Sequence, residues 1–324
     1  MKIPVFEILK IRHYINKCFR ADKKRFIRYS RALGTQGKDH IQGLISLNTH
    51  IIEKGLTMPQ MRPGFGQEVL RKLFALCRLW QESFDKSDPF YTQAVRTILE
   101  YKAVHSELKF LFEESFASEL ESFVKEHNDL DASCQPTFDN AAQFFSKNDA
   151  NFPDFARSRH STRHFSEEDI PVKRLLDAID LAQTAPSSCN RQTTRVHIIT
   201  DKTDIKKVLS LQNGNRGFGQ SINKLLIITY YIPHYGTVNE RHMGYIDSGI
   251  FTMNLLYALH YNQIGACTLN WCDSPKDEAK LRSMVPIDEK ETITVIIGCG
   301  LLPNHSFSVA KSTRLEGKAI TIVH

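Results

Sequence analysis

With 324 residues, 41% of them hydrophobic and 24% charged, the chain has the balance of an ordinary folded protein and the length for one large domain or two medium ones, which excludes fibrous and disordered classes. Its formal charge of +6 favours anionic ligands or surfaces but is too small to argue for nucleic acid. Seven cysteines, an odd count without a Cys-x-x-Cys pair, argue against a disulfide framework and a thiolate zinc site and fit a reducing, cytoplasmic home.

The opening ten residues carry charge at positions 2, 7 and 10 and lack the apolar core of a signal peptide, and no later stretch approaches the roughly 20 apolar residues that span a bilayer. Apolar residues at three and four spacings predict a mostly helical region over residues 1–150. Ile8, Ile11, Ile15 and Phe19 form its first stripe. Between positions 10 and 31 the charges Arg12, Lys17, Arg20, Lys23, Lys24, Arg25 and Arg28 are interrupted by Asp22 alone. Such a helix suits weak peripheral contact with an anionic membrane or a partner. The commoner alternative is a helix packed on its own domain with a solvated basic face.

Residues 50–66, with Gly55, Pro59, Pro63, Gly64 and Gly66, read as a loop, either a structural turn or a binding loop. Val69, Leu70, Leu73, Leu76, Cys77 and Trp80 mark the next helix, and a long helical region is expected over 89–126. The polar stretch 127–153 is the expected domain boundary, dividing a helical region 1–150 from a second domain 151–324.

The second domain alternates helices with strands. A helix is expected to start at Ser166, which can cap, with Asp169 as a shortened capping box and Ile170, Leu175, Ile179 and Ala182 following. Strands are expected at 194–200, 224–232, 266–271, 292–297 and 319–323, with helices at 204–211, 245–262 and 275–284. The 245–262 helix is apolar all round, as for a buried element. This pattern predicts an α/β fold, three layers with a mixed sheet between helices on both faces.

Residues 159–165, Arg-His-Ser-Thr-Arg-His-Phe, place two guanidiniums and two hydroxyls together. The cluster fits an anion such as a phosphate, or equally a solvated basic loop. Several familiar chemistries lack their marks. Gly214, Gly217 and Gly219 run in the order G-x-x-G-x-G before a strand, which is not a dinucleotide fingerprint. Walker A, Gly-x-Ser-x-Gly and His-Glu-x-x-His sequences are absent. His160 and His164 precede a helix without a third ligand, so no metal site is expected. Convergent polar groups without a nucleophile or general base are the profile of an enzyme whose cofactor does the chemistry.

Four motifs in order then resemble the FMN-dependent nitroreductase family over residues 155–324. Arg159-His160-Ser161-Thr162-Arg163 looks like its Arg-x-Ser-x-Arg/Lys opening, and Pro186-Ser187-Ser188-Cys189-Asn190-Arg191-Gln192 is similar to its Pro-Ser-Ser-x-Asn-x-Gln turn. Residues 244–271 resemble its central helix and the strand beside the flavin, and Lys311-Ser312-Thr313-Arg314 its phosphate-binding motif. The resemblance implies FMN as cofactor, with Arg159, His160, Ser161 and Arg163 at its ribityl, phosphate and pyrimidine groups and Asn215 as an amide contact. It also implies Lys311, Ser312 and Arg314 at the phosphate, and Pro186, Ser187, Ser188 and Asn190 reaching the flavin of the other subunit of a homodimer. Thr268, Leu269, Asn270 and Trp271 would lie near flavin N5. NAD(P)H is the implied donor, with an unidentified small-molecule acceptor and a ping-pong route. A specialised flavin oxidase, or a flavin-fold scaffold with a basic helical module, are the alternatives.

Two departures are visible. Thr193-Thr194 stands where the family carries Pro-Trp or Pro-Phe, and the helical first half, with its run over residues 53–66, resembles longer members encoded with bacterial surface-polysaccharide genes.

Overall fold

The computed structural model describes residues 3–34, 37–127, 129–272 and 274–324. The chain divides into two compact units, one made of Met1–Leu56, Met61–Gln135 and Lys311–His324, the other of Thr57–Gln60 and Pro136–Ala310. The expected boundary at residue 150 lies inside the second unit.

The first unit contains helices α1 (Val5–Tyr29), α2 (Gly37–Leu56), α3 (Gln67–Ser83), α4 (Pro89–Glu107) and α5 (Glu114–Glu126). Leu70, Leu73, Phe74, Cys77 and Trp80 of α3 recur at helical spacing and pack with Ile45 and Ile52 of α2, Ala94 and Ile98 of α4, and Phe116 and Phe123 of α5. Asp88 caps α4 by accepting from the Phe90 N–H, with Pro89 in the first turn. The single helical region expected over 89–126 is broken at 108–113, where Lys109 takes a left-handed φ of 52°.

Two further expectations for this unit are corrected. Residues 50–56 are helical rather than loop: Gly55 does not end α2 but makes room for the Phe65 ring, which a Cβ there would meet at 2.0 Å. The packing of α1 on its own domain is slight, since Ile15, Cys18 and Asp22 are half-buried and none of its described residues is buried.

The second unit runs β1 (Thr137–Phe138), α6 (Ala141–Phe144), α7 (Phe152–Ser158), α8 (Val172–Ala182), β2 (Thr194–Ile199), α9 (Lys202–Leu211), β3 (Lys224–Tyr231), α10 (Met243–Tyr261), β4 (Gly265–Asn270), α11 (Pro275–Met284), β5 (Glu291–Gly300) and β6 (Phe307–Ser308). Four strands form a sheet in the order β2-β3-β5-β4. Leu226 and Ile228 of β3 pack with Leu175 of α8 and Leu255 of α10. Leu225 and Ile227 pack on the opposite face with Val208 of α9 and Leu281 of α11. Helices on both faces explain why β3 reads as a continuous apolar run.

The strand directions differ from the mixed sheet expected. Every described neighbouring pair in this sheet is antiparallel. Strands β3 and β4, joined through α10, run parallel to each other but are not neighbours, because β5 lies between them and is antiparallel to both. The strand expected at 319–323 is also absent. That tail forms a 3-10 turn, Gly317–Ile320, and Ile322 and Val323 stay exposed. Helix α10 is buried on one face only: Tyr245, Ile246, Ile250 and Met253 are exposed.

Candidate functional site

The basic segment 159–165 lies along β4, the open edge of the sheet. The Thr162 N–H donates to the Ala266 carbonyl at 3.0 Å and the Ser166 N–H to that of Leu301 at 2.8 Å. Glycines permit the close approach: a Cβ on Gly265 would meet Thr162 Oγ1 at 2.8 Å, and one on Gly300 would meet the Phe165 ring at 2.5 Å. The helix expected at Ser166 begins at Val172 instead, with Pro171 as its cap. Proline disfavours helix at the residue before it, and Ile170 donates its N–H to Asn223 Oδ1 at 3.1 Å. Asp169, expected in a capping box, pairs with buried Lys224 at 2.5 Å.

Arg163 is 7% exposed and lies 5.8 Å from the Phe218 ring centroid. Its Nε has no hydrogen-bond partner among the described residues, and neither does the Thr162 hydroxyl. Ser161 is half-buried. Arg159 and His160 line a closed recess with Phe144, His260 and Ala266. Burial pushes the His260 pKa down to about 4, with Arg159 and His160 adding to the effect.

A cavity of about 910 Å³ opens beside this segment, within the size range of small-molecule pockets. Phe165, Ser166, Lys202, Asn215, Phe218 and Asn223 line it, joined by Pro59 and Gln60. The Ser166 hydroxyl and Asn223 Nδ2 are buried there without partners among the described residues. Asn215 is committed through its amide nitrogen, which donates to Leu209 O at 2.8 Å. The short insert Thr57–Gln60 is seated by the His164 Nε2 donating to the Thr57 carbonyl at 2.9 Å, and by Met58 Sδ against Gly217, which has a φ of +89°.

The other expected residues fall elsewhere. Ser187 and Ser188 are half-buried while Pro186 and Asn190 are exposed on their turn. Cys189, Asn190 and Gln192 all take left-handed φ values of 49–52°, a conformation that non-glycine residues hold only when their surroundings impose it. Asp247 supplies much of that hold. It accepts from the Ser188 N–H at 3.0 Å and from the Tyr235 hydroxyl at 3.0 Å, and Arg191 pairs with Glu240 beside it.

On β4, Thr268 and Asn270 are exposed, Leu269 is buried and Trp271 just beyond it is half-buried. Buried Gln212 donates to the Asn270 carbonyl at 2.9 Å and accepts from the Gly214 N–H at 2.6 Å, tying the glycine-rich turn to the end of β4. Nothing in the sequence around Gln212 marked it out.

Lys311, Ser312 and Arg314 belong to the first unit. The Lys311 N–H donates to Gln135 Oε1 at 2.7 Å, and Thr313 donates to Gln93 at 3.0 Å. Arg314 turns back to the Ser312 carbonyl. Behind them Gln135 donates to Glu100 at 2.6 Å and Gln93 to Glu53 at 2.8 Å. Burial raises the pKa of both carboxyls, and these amide bonds oppose the rise.

The comparisons with known proteins fall on the same region. Residues 156–215 match the model of the nitroreductase family. Over that stretch the chain is similar to nitroreductases. A nitroreductase family protein from Streptococcus pneumoniae TIGR4 is 18% identical with a TM-score of 0.46, the match covering 54% of this chain and all (100%) of that one. An FMN-dependent nitroreductase from Clostridium difficile R20291 is 16% identical with a TM-score of 0.44, covering 52% and 98%. A nitroreductase family protein from Clostridium novyi NT is 16% identical with a TM-score of 0.42, covering 48% and 86%. No curated protein matches the chain. Residues 159–163 lie within the matched stretch, whereas Thr268, Asn270 and the 311–314 motif lie beyond it.

Proposed function

We propose that the nitroreductase-like unit binds FMN and that the chain is an FMN-dependent oxidoreductase. The observation that carries the reading is a surplus of buried donors at and beside the 159–165 segment. Arg163 Nε, Asn223 Nδ2 and the hydroxyls of Thr162 and Ser166 are all buried without a partner among the described residues. A buried donor left unmade costs about 1–3 kcal/mol, and an anionic ligand rich in acceptor oxygens satisfies several at once. The residue types therefore fit this cofactor.

In this reading Arg159, Ser161 and Arg163 hold the cofactor's phosphate, ribityl and pyrimidine side, and Asn215, its amide nitrogen committed to Leu209, contributes its side-chain carbonyl. Bound there, FMN supplies hydride transfer from NAD(P)H to a second small-molecule substrate in a ping-pong sequence. Arg163 offers a desolvated positive charge, which stabilises negative charge developing on a neighbouring ring more strongly than a solvated one. In the same reading the turn with Ser187, Ser188 and Asn190 reaches the flavin of a second copy. The exposed stripe Ile246, Ile250 and Met253 on α10 supplies the apolar face such a homodimer buries.

The test is anaerobic mixing of the flavin-loaded protein with NADH or NADPH. Bleaching of the flavin band, followed by its return on adding a nitroaromatic, is the expected result. A flavin band unchanged by both nucleotides overturns the proposed activity.

A further inference from the structure

Helix α1 has no part in the chemistry proposed above, and its two sides ask for different things. It extends over Val5–Tyr29 without a buried residue. Phe6, Phe19 and Phe26 are 68%, 54% and 65% exposed. At about 100° per residue, Ile8, Ile11, Ile15, Phe19 and Phe26 fall on one stripe, interrupted by Asp22, while Lys10, Lys17, Lys24 and Arg28 fall on the opposite one. Between positions 5 and 33 stand nine lysines and arginines against Glu7 and Asp22, in a chain whose whole formal charge is +6. The positive surplus of the protein is thus concentrated on this helix, and the rest of the chain is close to neutral.

The occupant of such a helix must offer negative charge and apolar material along one line. In the acidic run of the same chain, residues 113–131, three carboxylates are already engaged: Glu119 pairs with Arg71 at 3.2 Å, Glu126 with Arg78 at 3.1 Å, and Glu121 with Lys102. A second α1 is repelled by like charge along its full length. Nucleic acid satisfies the lysines but leaves a stripe of isoleucine and phenylalanine in water. An anionic bilayer surface satisfies both sides, taking the apolar stripe at the acyl boundary and the long basic side chains among the headgroups.

We propose that α1 docks the protein in the plane of an anionic lipid surface. No described helix is long and apolar enough to cross a membrane, so α1 lies on the bilayer. The inference is independent of the flavin reading, because no residue of α1 is part of the proposed site.

The test is co-sedimentation of the full-length protein with vesicles of phosphatidylcholine containing about 30 mol % phosphatidylglycerol, against vesicles of phosphatidylcholine alone. Two variants accompany it, one with Lys17, Lys24 and Arg28 changed to glutamate and one with Phe19 and Phe26 changed to serine. Both should fold, since none of the five changed residues is buried, and circular dichroism checks this. The expected result is binding to the anionic vesicles, weakened at least about tenfold by either variant and by roughly 0.5 M salt. Equal binding to both vesicle types, binding untouched by the variants, or capture of duplex DNA or RNA with no binding to vesicles overturns the proposal. So does a loss of oligomer mass in the variants without any vesicle binding in the parent protein.

Discussion

Replacing Gly265 by alanine asks whether the 159–165 segment owes its place to the open edge of β4. A methyl group at this buried position comes within 2.3 Å of Leu302 Cδ2, 2.8 Å of Thr162 Oγ1 and 3.1 Å of the Gly300 carbonyl. The Gly300 oxygen is backbone, held opposite Gly265 by the β4–β5 register, and Leu302 is packed in the cluster of Phe144, Phe307 and Val309. Thr162 is therefore the group that must yield, and its N–H bond to Ala266, 3.0 Å in the native arrangement, lengthens with it. Overpacking costs about 1–3 kcal/mol and a weakened backbone hydrogen bond about 0.5–1.5 kcal/mol, so Gly265→Ala should destabilise the second unit by roughly 2–4 kcal/mol. Because Arg163 follows Thr162, FMN affinity should fall at least about tenfold in the same protein. Urea unfolding gives the first quantity and flavin fluorescence titration the second. A variant within about 0.5 kcal/mol of the parent, with unchanged FMN affinity, would refute both the packing argument and the role given to the segment.

Other outcomes follow from the same geometry. Arg159→Ala combined with Arg163→Ala should weaken FMN binding by roughly 10–100-fold per lost charged contact while the urea midpoint stays near that of the parent; equilibrium dialysis decides. The His260 pKa, about 4 in the folded chain, lies below its unfolded value near 6.5, so its contribution is complete above pH 6.5 and is lost as the pH falls to 4. That loss is about 3 kcal/mol, and His260→Phe should flatten the stability profile across this window. Gln135→Leu removes the side-chain donor to the Glu100 carboxylate and the acceptor for the Lys311 N–H, and leaves the backbone N–H of residue 135 on Glu100. It should cost about 1–3 kcal/mol and expose residues 311–324 to limited proteolysis; a tail equally resistant in parent and variant would contradict the anchoring described.

Much of the fold was legible because burial imposes a period. The α3 stripe from Leu70 to Trp80 and the limits of α11 came directly from spacing and capping residues, and so did the apolar run of β3. What escaped was decided by contacts distant in sequence. Gly55 resembles a helix end until the Phe65 ring is seen to occupy its missing side chain. Ser166 resembles a cap, but the backbone there bonds to Leu301 and the helix waits for Pro171. The insertion of β5 between β3 and β4 leaves no local mark, and neither does the transfer of Thr57–Gln60 into the second unit. The candidate site divides in the same way. Arg159, Ser161 and Arg163 announce themselves by clustering cations and hydroxyls within five residues. Gln212, Asn223 and Lys202 acquire their meaning only when the fold brings them to the glycine-rich turn and the cavity.

The central proposal is that FMN is held at the 159–165 segment of the second unit. Titrating the purified chain with FMN, and following the quenching of flavin fluorescence, tests this directly. Saturation at about one FMN per chain, lost when Arg159 and Arg163 are both replaced by alanine, is the predicted result. A colourless protein that binds no added FMN, or full flavin occupancy in the double variant, would contradict it.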